Sequence, residues 1–237
     1  MDKGIAGVTA LGFGLSEYIK MFGLTEHELN MRILDCRAGA SSFTSDMYQK
    51  KKHVTACDPL YQLPVDELKK LVNHASEELK TTFKEGTEKF SILPEKAQEY
   101  LNLIESGTKN FFSDFSIGLS EGRYCYDSLP TLSFRDGQFG LALVCHYLFT
   151  FSEQLSLSYH VASIEELIRV ANEVRIFPLV TTKGQLSPYV GEVVAKLQSL
   201  SYGVEIRGVE YELQKQGNAM LRIWAPECQV ATYSPTQ

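Results

Sequence analysis

The sequence predicts a single doubly wound α/β domain spanning residues 1–237, with a mostly parallel sheet, an antiparallel strand near its C-terminal end and a helical insertion after the second strand. Three observations predict it. Residues 32–58 read as strand, tight small-residue turn, helix and strand, the unit that places a ligand at the carboxyl ends of parallel strands. The run FGLALVC at 139–145 is continuously apolar and bounded by turn residues, as a strand covered on both faces must be. Two strand-like runs around Gly217-Asn218 then close the pattern as a hairpin.

The elements follow in order. The Gly-rich stretch 1–14 is a lead-in. Ser16 is positioned to cap a helix carrying Tyr18, Ile19 and Phe22, with Gly23 as its stop. Thr25 and Glu28 have capping-box spacing for a short second helix over 25–29. The first strand carries Ile33 and Leu34 and ends on Asp35. The second, 53–57, ends on Asp58. Residues 65–120 exceed what a βαβ crossover needs, and their apolar positions (Leu68, Leu71, Val72, Leu79, then Tyr100, Leu101, Ile104) have helical spacing. They read as a helical insertion, either a cap over the mouth of the sheet or a solvated elaboration. Phe111, Phe112 and Phe115 are expected in the core. A third strand over 123–126, the buried fourth over 139–145, an amphipathic helix over 163–170, a fifth strand over 173–179 and a helix over 190–200 continue the alternation. The closing strands are 203–206 and 219–224.

Composition narrows the function. A formal net charge of −6 disfavours nucleic acid as a partner, because phosphate neutralisation needs clustered Lys and Arg. Five scattered cysteines without a CxxC exclude a disulfide framework and a zinc site, so no metal is expected and a reducing, cytoplasmic setting is. No segment has the length of a membrane span or the pattern of a signal peptide.

The turn at 38–42 lets a backbone approach a ligand closely, and Asp58 is placed to accept bonds from two ribose hydroxyls. A nicotinamide dinucleotide would need GxGxxG, and Gly39 is the only glycine of this turn. An acid before the turn, Asp35, suits a ligand with a positive amino or sulfonium group. On the segments ILDCRAGASSF, VTACDPLY and LPTLSFRDGQFGLALVCHYLF, the chain resembles the class I S-adenosylmethionine-dependent methyltransferases over residues 16–224.

The resemblance implies a seven-stranded sheet with an antiparallel seventh strand and S-adenosyl-L-methionine as cofactor. It implies that Asp35, Ala38 and Gly39 surround the methionine part and that Cys36, Arg37, Ser41 and Ser42 are among the cofactor-binding residues. Asp58 would hold the ribose, Asp127 and Ser128 would flank the adenine, Cys145 and His146 would lie beside the methyl donor, and Pro59 and Leu129 would also be cofactor-binding. Arg37 and Ser41 stand where the family has glycines, and Gly140 where it commonly has an acid. Arg37 can point outward, pair with the cofactor carboxylate or block the site. The acceptor-side candidates are His146, Tyr147 and Glu153. His146 is either a base suited to neutral pH or a strand-end His packed on the core. Absence of an Asn/Asp-Pro-Pro-Tyr/Phe motif and of a Pro-Cys nucleophile favours a small-molecule acceptor. A methyltransferase-like domain without turnover and a nicotinamide-dependent Rossmann enzyme are the alternatives.

Overall fold

The computed structural model describes residues 11–85 and 90–225. Seven strands, β1 (Ile33–Cys36), β2 (Val54–Cys57), β3 (Tyr124–Cys125), β4 (Phe139–Cys145), β5 (Ala171–Phe177), β6 (Gly203–Gly208) and β7 (Ala219–Trp224), form one sheet in the order β3-β2-β1-β4-β5-β7-β6. β1 to β5 run parallel, and β7 is antiparallel to both β5 and β6. The hairpin read around Gly217-Asn218 is the β6–β7 pair. β5 ends before Pro178 and lies between β4 and β7, so Pro178 marks a strand end and not an edge.

The helices are α1 (Leu15–Phe22), α2 (Glu26–Leu29), α3 (Phe43–Gln49), α4 (Val65–Glu85), α5 (Ala97–Ser120), α6 (Leu157–Val170) and α7 (Val190–Ser199). α1 is capped by Gly14 rather than Ser16. The Gly14 amide donates to Glu17 at 2.9 Å and the Leu15 amide to Asp46 at 3.0 Å, so two carboxylates take up the orphan donors. Gly23 adopts the left-handed conformation and ends the helix. In α2 the Thr25 amide donates to Glu28 at 2.9 Å, completing the expected box. α6 starts earlier than its apolar spacing suggests because Ser156 caps it, accepting from the Tyr159 amide at 3.2 Å.

Side chains alternate across the sheet with period two. Leu141, Leu143 and Cys145 face α1 and α3 through Met21, Phe22, Phe43 and Met47. Ala142 and Val144 face α6 and α7 through Ile164, Leu167 and Val193. A third cluster joins Leu68 and Val72 of α4, Phe111 and Phe115 of α5, Tyr61 and Tyr124. Among the described residues no helix is long and apolar enough to cross a membrane.

Two close approaches replace side-chain packing with backbone. A Cβ on Gly107 of α5 would stand 1.9 Å from the Gly12 carbonyl oxygen, so the lead-in segment crosses the helix at its glycine. A Cβ on Gly140 would meet Met31 at 3.1 Å, so the missing acid of β4 is the place where Met31 covers the strand. Between β5, β7 and α2, Arg175 is 1% exposed yet charged. It donates to Glu173 at 2.6 Å, to Glu28 at 2.7 Å and to the Phe22 carbonyl at 2.7 Å, while Arg222 also holds Glu173 at 2.7 Å.

Candidate functional site

The β1 turn is tied to the end of β2 by its backbone. The Arg37 amide donates to the Cys57 carbonyl at 2.8 Å, and the Gly39 amide to Asp58 at 3.1 Å. Asp58 opens a 3-10 turn over Pro59–Gln62 and accepts from the Leu60 amide at 2.8 Å. Tyr61, three residues after Asp58, reaches back and donates to the Gly39 carbonyl at 2.8 Å. The turn, the acid and the tyrosine thus form one closed unit, and Asp58 has no exposed surface.

Arg37 adopts φ 62°, the left-handed region that favours glycine. Its guanidinium lies 4.1 Å from the centroid of the Tyr147 ring, a cation–π contact. Burial works against its charge, but Asp58 and Tyr147 nearby hold its pKa above the ordinary value. Its Nε is buried without a hydrogen-bond partner. Tyr147 is buried, exchanges a hydrogen bond with Tyr159 at 2.9 Å, and is pushed well above the usual phenol range by burial. It is therefore a platform for Arg37 and not a base at neutral pH.

Asp35 is also wholly buried. Both its oxygens accept from the Tyr18 hydroxyl, at 3.1 and 3.0 Å, and burial raises its pKa to about 8, with Asp58 adding to the rise. Burial thus favours its protonated form, and the hydrogen-bond partner the fold gives it is Tyr18 of α1. A carboxyl with a folded pKa above its unfolded one binds more protons when folded, so its contribution to stability falls as pH rises through that interval. Asp35→Asn should therefore gain on the wild-type protein between about pH 5 and pH 8, as read by urea unfolding at both pH values. A gap that stays constant across that range would refute the assignment.

Other residues of the expected set serve the fold. Cys36 and Cys57 are paired neighbours in the sheet, both buried. Ala38 is buried in the cluster around Tyr61. The Ser41 hydroxyl donates to the Phe13 carbonyl at 3.0 Å and accepts from the Phe43 amide, and the Ser42 hydroxyl donates to Asp46 at 2.9 Å. Pro59 begins the 3-10 turn. Asp127 is used within its own loop, accepting from the Ser128 amide at 2.9 Å and the Ser133 amide at 2.8 Å, and the Ser128 hydroxyl donates to the Leu129 carbonyl at 3.2 Å. Leu129 is buried, and its carbonyl takes the Tyr159 hydroxyl. Cys145 packs against Met21, with sulfur atoms 3.4 Å apart. Glu153 is exposed and ion-paired with Lys183. Cys228 lies outside the described residues.

His146 follows β4 with φ 48° and is only 3% exposed. Its ring stacks on Phe13 at 5.1 Å, and burial lowers its pKa to about 4. Its Nε2 has no hydrogen-bond partner. Beside it lies a cavity of about 590 Å³ whose lining includes α4 residues, His146 and Thr150. Of the four cavities delineated among the described residues, none is lined by Asp35, Gly39 or Asp58. The places of Thr150 and Tyr61, and the contact of Tyr18 with Asp35, escape sequence reading. Tyr61 at least stands in the quoted VTACDPLY segment, whereas Thr150 gives no signal before the chain is folded.

No family model matches the chain. The uncharacterized protein MJ0045 of Methanocaldococcus jannaschii is 30% identical over 217 residues, which is 90% of this chain and 94% of that protein. Among solved structures, an S-adenosylmethionine-dependent methyltransferase from Aquifex aeolicus is similar at 17% identity and TM-score 0.45, covering 95% of this chain and 98% of the other. One from Methanosarcina mazei is similar at 12% identity and TM-score 0.44, covering 83% and 93%. The fold assignment stands on the sheet itself, whose seven strands and antiparallel seventh strand are those the resemblance implies. The chain belongs to the family of the M. jannaschii protein and has the Rossmann-like fold of the class I methyltransferases.

Proposed function

We propose that the protein is an S-adenosylmethionine-dependent methyltransferase with a small-molecule acceptor. The observation that carries this reading is the β1 turn, where a buried, unpartnered Arg37 Nε and the Asp58 carboxylate stand at the C-terminal edge of the sheet. The residues suit the cofactor. Each Asp58 oxygen accepts one backbone bond and keeps a lone pair for a ribose hydroxyl. The Arg37 fork suits the α-carboxylate, and the buried turn at Ala38 and Gly39 lets a ligand lie on the backbone. Bound there, the cofactor would supply an electrophilic methyl group. His146, neutral at physiological pH, would offer Nε2 to the proton of an acceptor hydroxyl.

A second reading is favoured by one observation: Asp58 has no exposed surface, so a ligand reaches it only after Arg37 leaves the Tyr147 ring. In that reading Arg37 permanently closes the crevice and the domain binds without turnover.

Isothermal titration of the full chain with S-adenosylmethionine, S-adenosylhomocysteine and NAD separates these. Sub-millimolar binding of the sulfur ligands alone is expected, and binding of neither would overturn the methyltransferase reading. Arg37→Gly, which suits the backbone conformation, should weaken S-adenosylmethionine about tenfold or more, the worth of a charge-assisted bond. Tighter binding by this variant would identify Arg37 as a plug. Asp58→Asn should weaken the same ligand by a similar factor, and unchanged affinity would refute the ribose assignment.

A further inference from the structure

The two edges of the sheet are built differently. β3 presents only Tyr124–Cys125, whereas β6 presents the 6 residues Gly203–Gly208, paired to β7 without a break in register. Shortness guards an edge against a second chain, as do proline, a bulge or charges that repel. β6 has neither proline nor bulge, and its two charges, Glu205 and Arg207, are of opposite sign.

The inner pairing of β6 decides which backbone groups point out. The Val209 amide donates to the Asn218 carbonyl at 2.8 Å, one step beyond the Gly208–Ala219 pair, so Val209 and Asn218 are a hydrogen-bonded pair of the antiparallel ladder. Such pairs alternate along a strand. Gly203, Glu205 and Arg207 therefore turn their amides and carbonyls to β7, while Val204, Ile206 and Gly208 turn theirs outward. Among the described residues no other element supplies these three with a backbone partner. The Ile206 side chain is also 54% exposed.

The outward set (204, 206 and 208) and the charge pair (205 and 207) share one centre, Ile206. We infer that β6 is the seam of a two-fold dimer, pairing antiparallel with β6 of a second copy about an axis at Ile206. Val204 then exchanges two hydrogen bonds with the partner's Gly208, and Ile206 two with the partner's Ile206. Glu205 stands opposite the partner's Arg207 at the closely spaced position between those pairs, where opposite charges attract. An axis at Glu205 or at Arg207 would shorten the ladder and set like charges against each other. The charges and the backbone thus select the same register. In the single chain Arg207 donates to Glu205 of its own strand at 2.9 Å, so association redirects an existing bond. A two-fold contact closes on itself, so the edge is consumed without growth of a filament. None of these residues belongs to the cofactor set, and the seam does not depend on the methyltransferase reading.

Sedimentation equilibrium of the full chain over a concentration series should show reversible exchange between monomer and dimer. Arg207→Glu and Glu205→Arg, each alone, set like charges across the seam and should weaken the dimer about tenfold or more. Mixed in equal amounts, the two variants should recover it, because each chain then faces the opposite charge. No recovery on mixing, or a dimer that neither substitution weakens, would overturn the inference. Hydrogen exchange of the wild-type protein gives a reading without any variant. The Val204, Ile206 and Gly208 amides should exchange fast in dilute solution and slow down as the dimer forms, while those of Glu205 and Arg207 stay protected throughout. A chain that remains monomeric would overturn the inference. So would outward amides protected at every concentration, which would show that the chain covers its own edge.

Discussion

Arg175→Met is expected to destabilise the protein by about 3–5 kcal/mol, the range for removing one member of a buried ion pair. The loss is large because the guanidinium serves four partners at once, the Glu173 and Glu28 carboxylates and the Phe22 and Gly23 carbonyls. Without it the Phe22 carbonyl loses its donor, Glu28 loses the cation that faces it, and Glu173 keeps only Arg222. The junction of α1 and α2 would then no longer be held to β5. Urea unfolding reads the effect, and a loss below about 1 kcal/mol, the level of an exposed pair, would show that the network contributes little. A pH series adds an independent check. Burial pushes the Glu28 carboxyl up, but bonds from Thr25 and Arg175 outweigh it and hold the pKa at about 2. A depressed carboxylate stabilises the fold above its unfolded pKa and loses that contribution as pH falls towards the folded one. The advantage of the wild-type protein over Glu28→Gln should therefore be full above about pH 5 and fade on the way down to pH 2.

Gly107→Ala is the second large effect, about 3 kcal/mol or more, at the upper end for overpacking. A glycine inside a helix ordinarily costs about 1 kcal/mol relative to alanine, so an exposed site would gain from the change. Here the added methyl would overlap the Gly12 carbonyl, and backbone cannot turn aside as a side chain can. Relief requires the segment carrying Leu11 and Phe13 to lift from α5. Leu11 lines the cavity beside β4 and Phe13 stacks on His146, so the packing of both would be disturbed with it. An unfolding midpoint equal to that of the wild-type protein would show that the crossing is looser than described.

Much of this architecture was legible because it is written in local chemistry. The run at 139–145, the box at Thr25 and Glu28, the stop at Gly23 and the final strand at 219–224 each depend on neighbours in sequence, and each matches the structure. The starts of α1 and α6 were less legible. The first is set by Asp46, which reaches the Leu15 amide from another helix, and the second by a single Ser156 ahead of a polar turn. The candidate site was legible only as a list of residues near strand ends. Sequence order cannot tell that Ser41 and Ser42 bond to Phe13 and Asp46, that Asp127 is consumed by its own loop, or that Asp35 turns to Tyr18. Arg37 was visible as an anomaly, but its resting place on Tyr147 depends on two loops 110 positions apart.

The placing of β7 between β5 and β6 has a consequence for synthesis. Five parallel strands and β6 emerge before the residues that join them, so a nascent chain ending short of Ala219 leaves the edge of β5 unpaired and its apolar side chains uncovered. Such an edge recruits strands from other molecules. Completion of the sheet thus waits on β7, and a nonsense or frameshift lesion that removes it would yield a sticky intermediate.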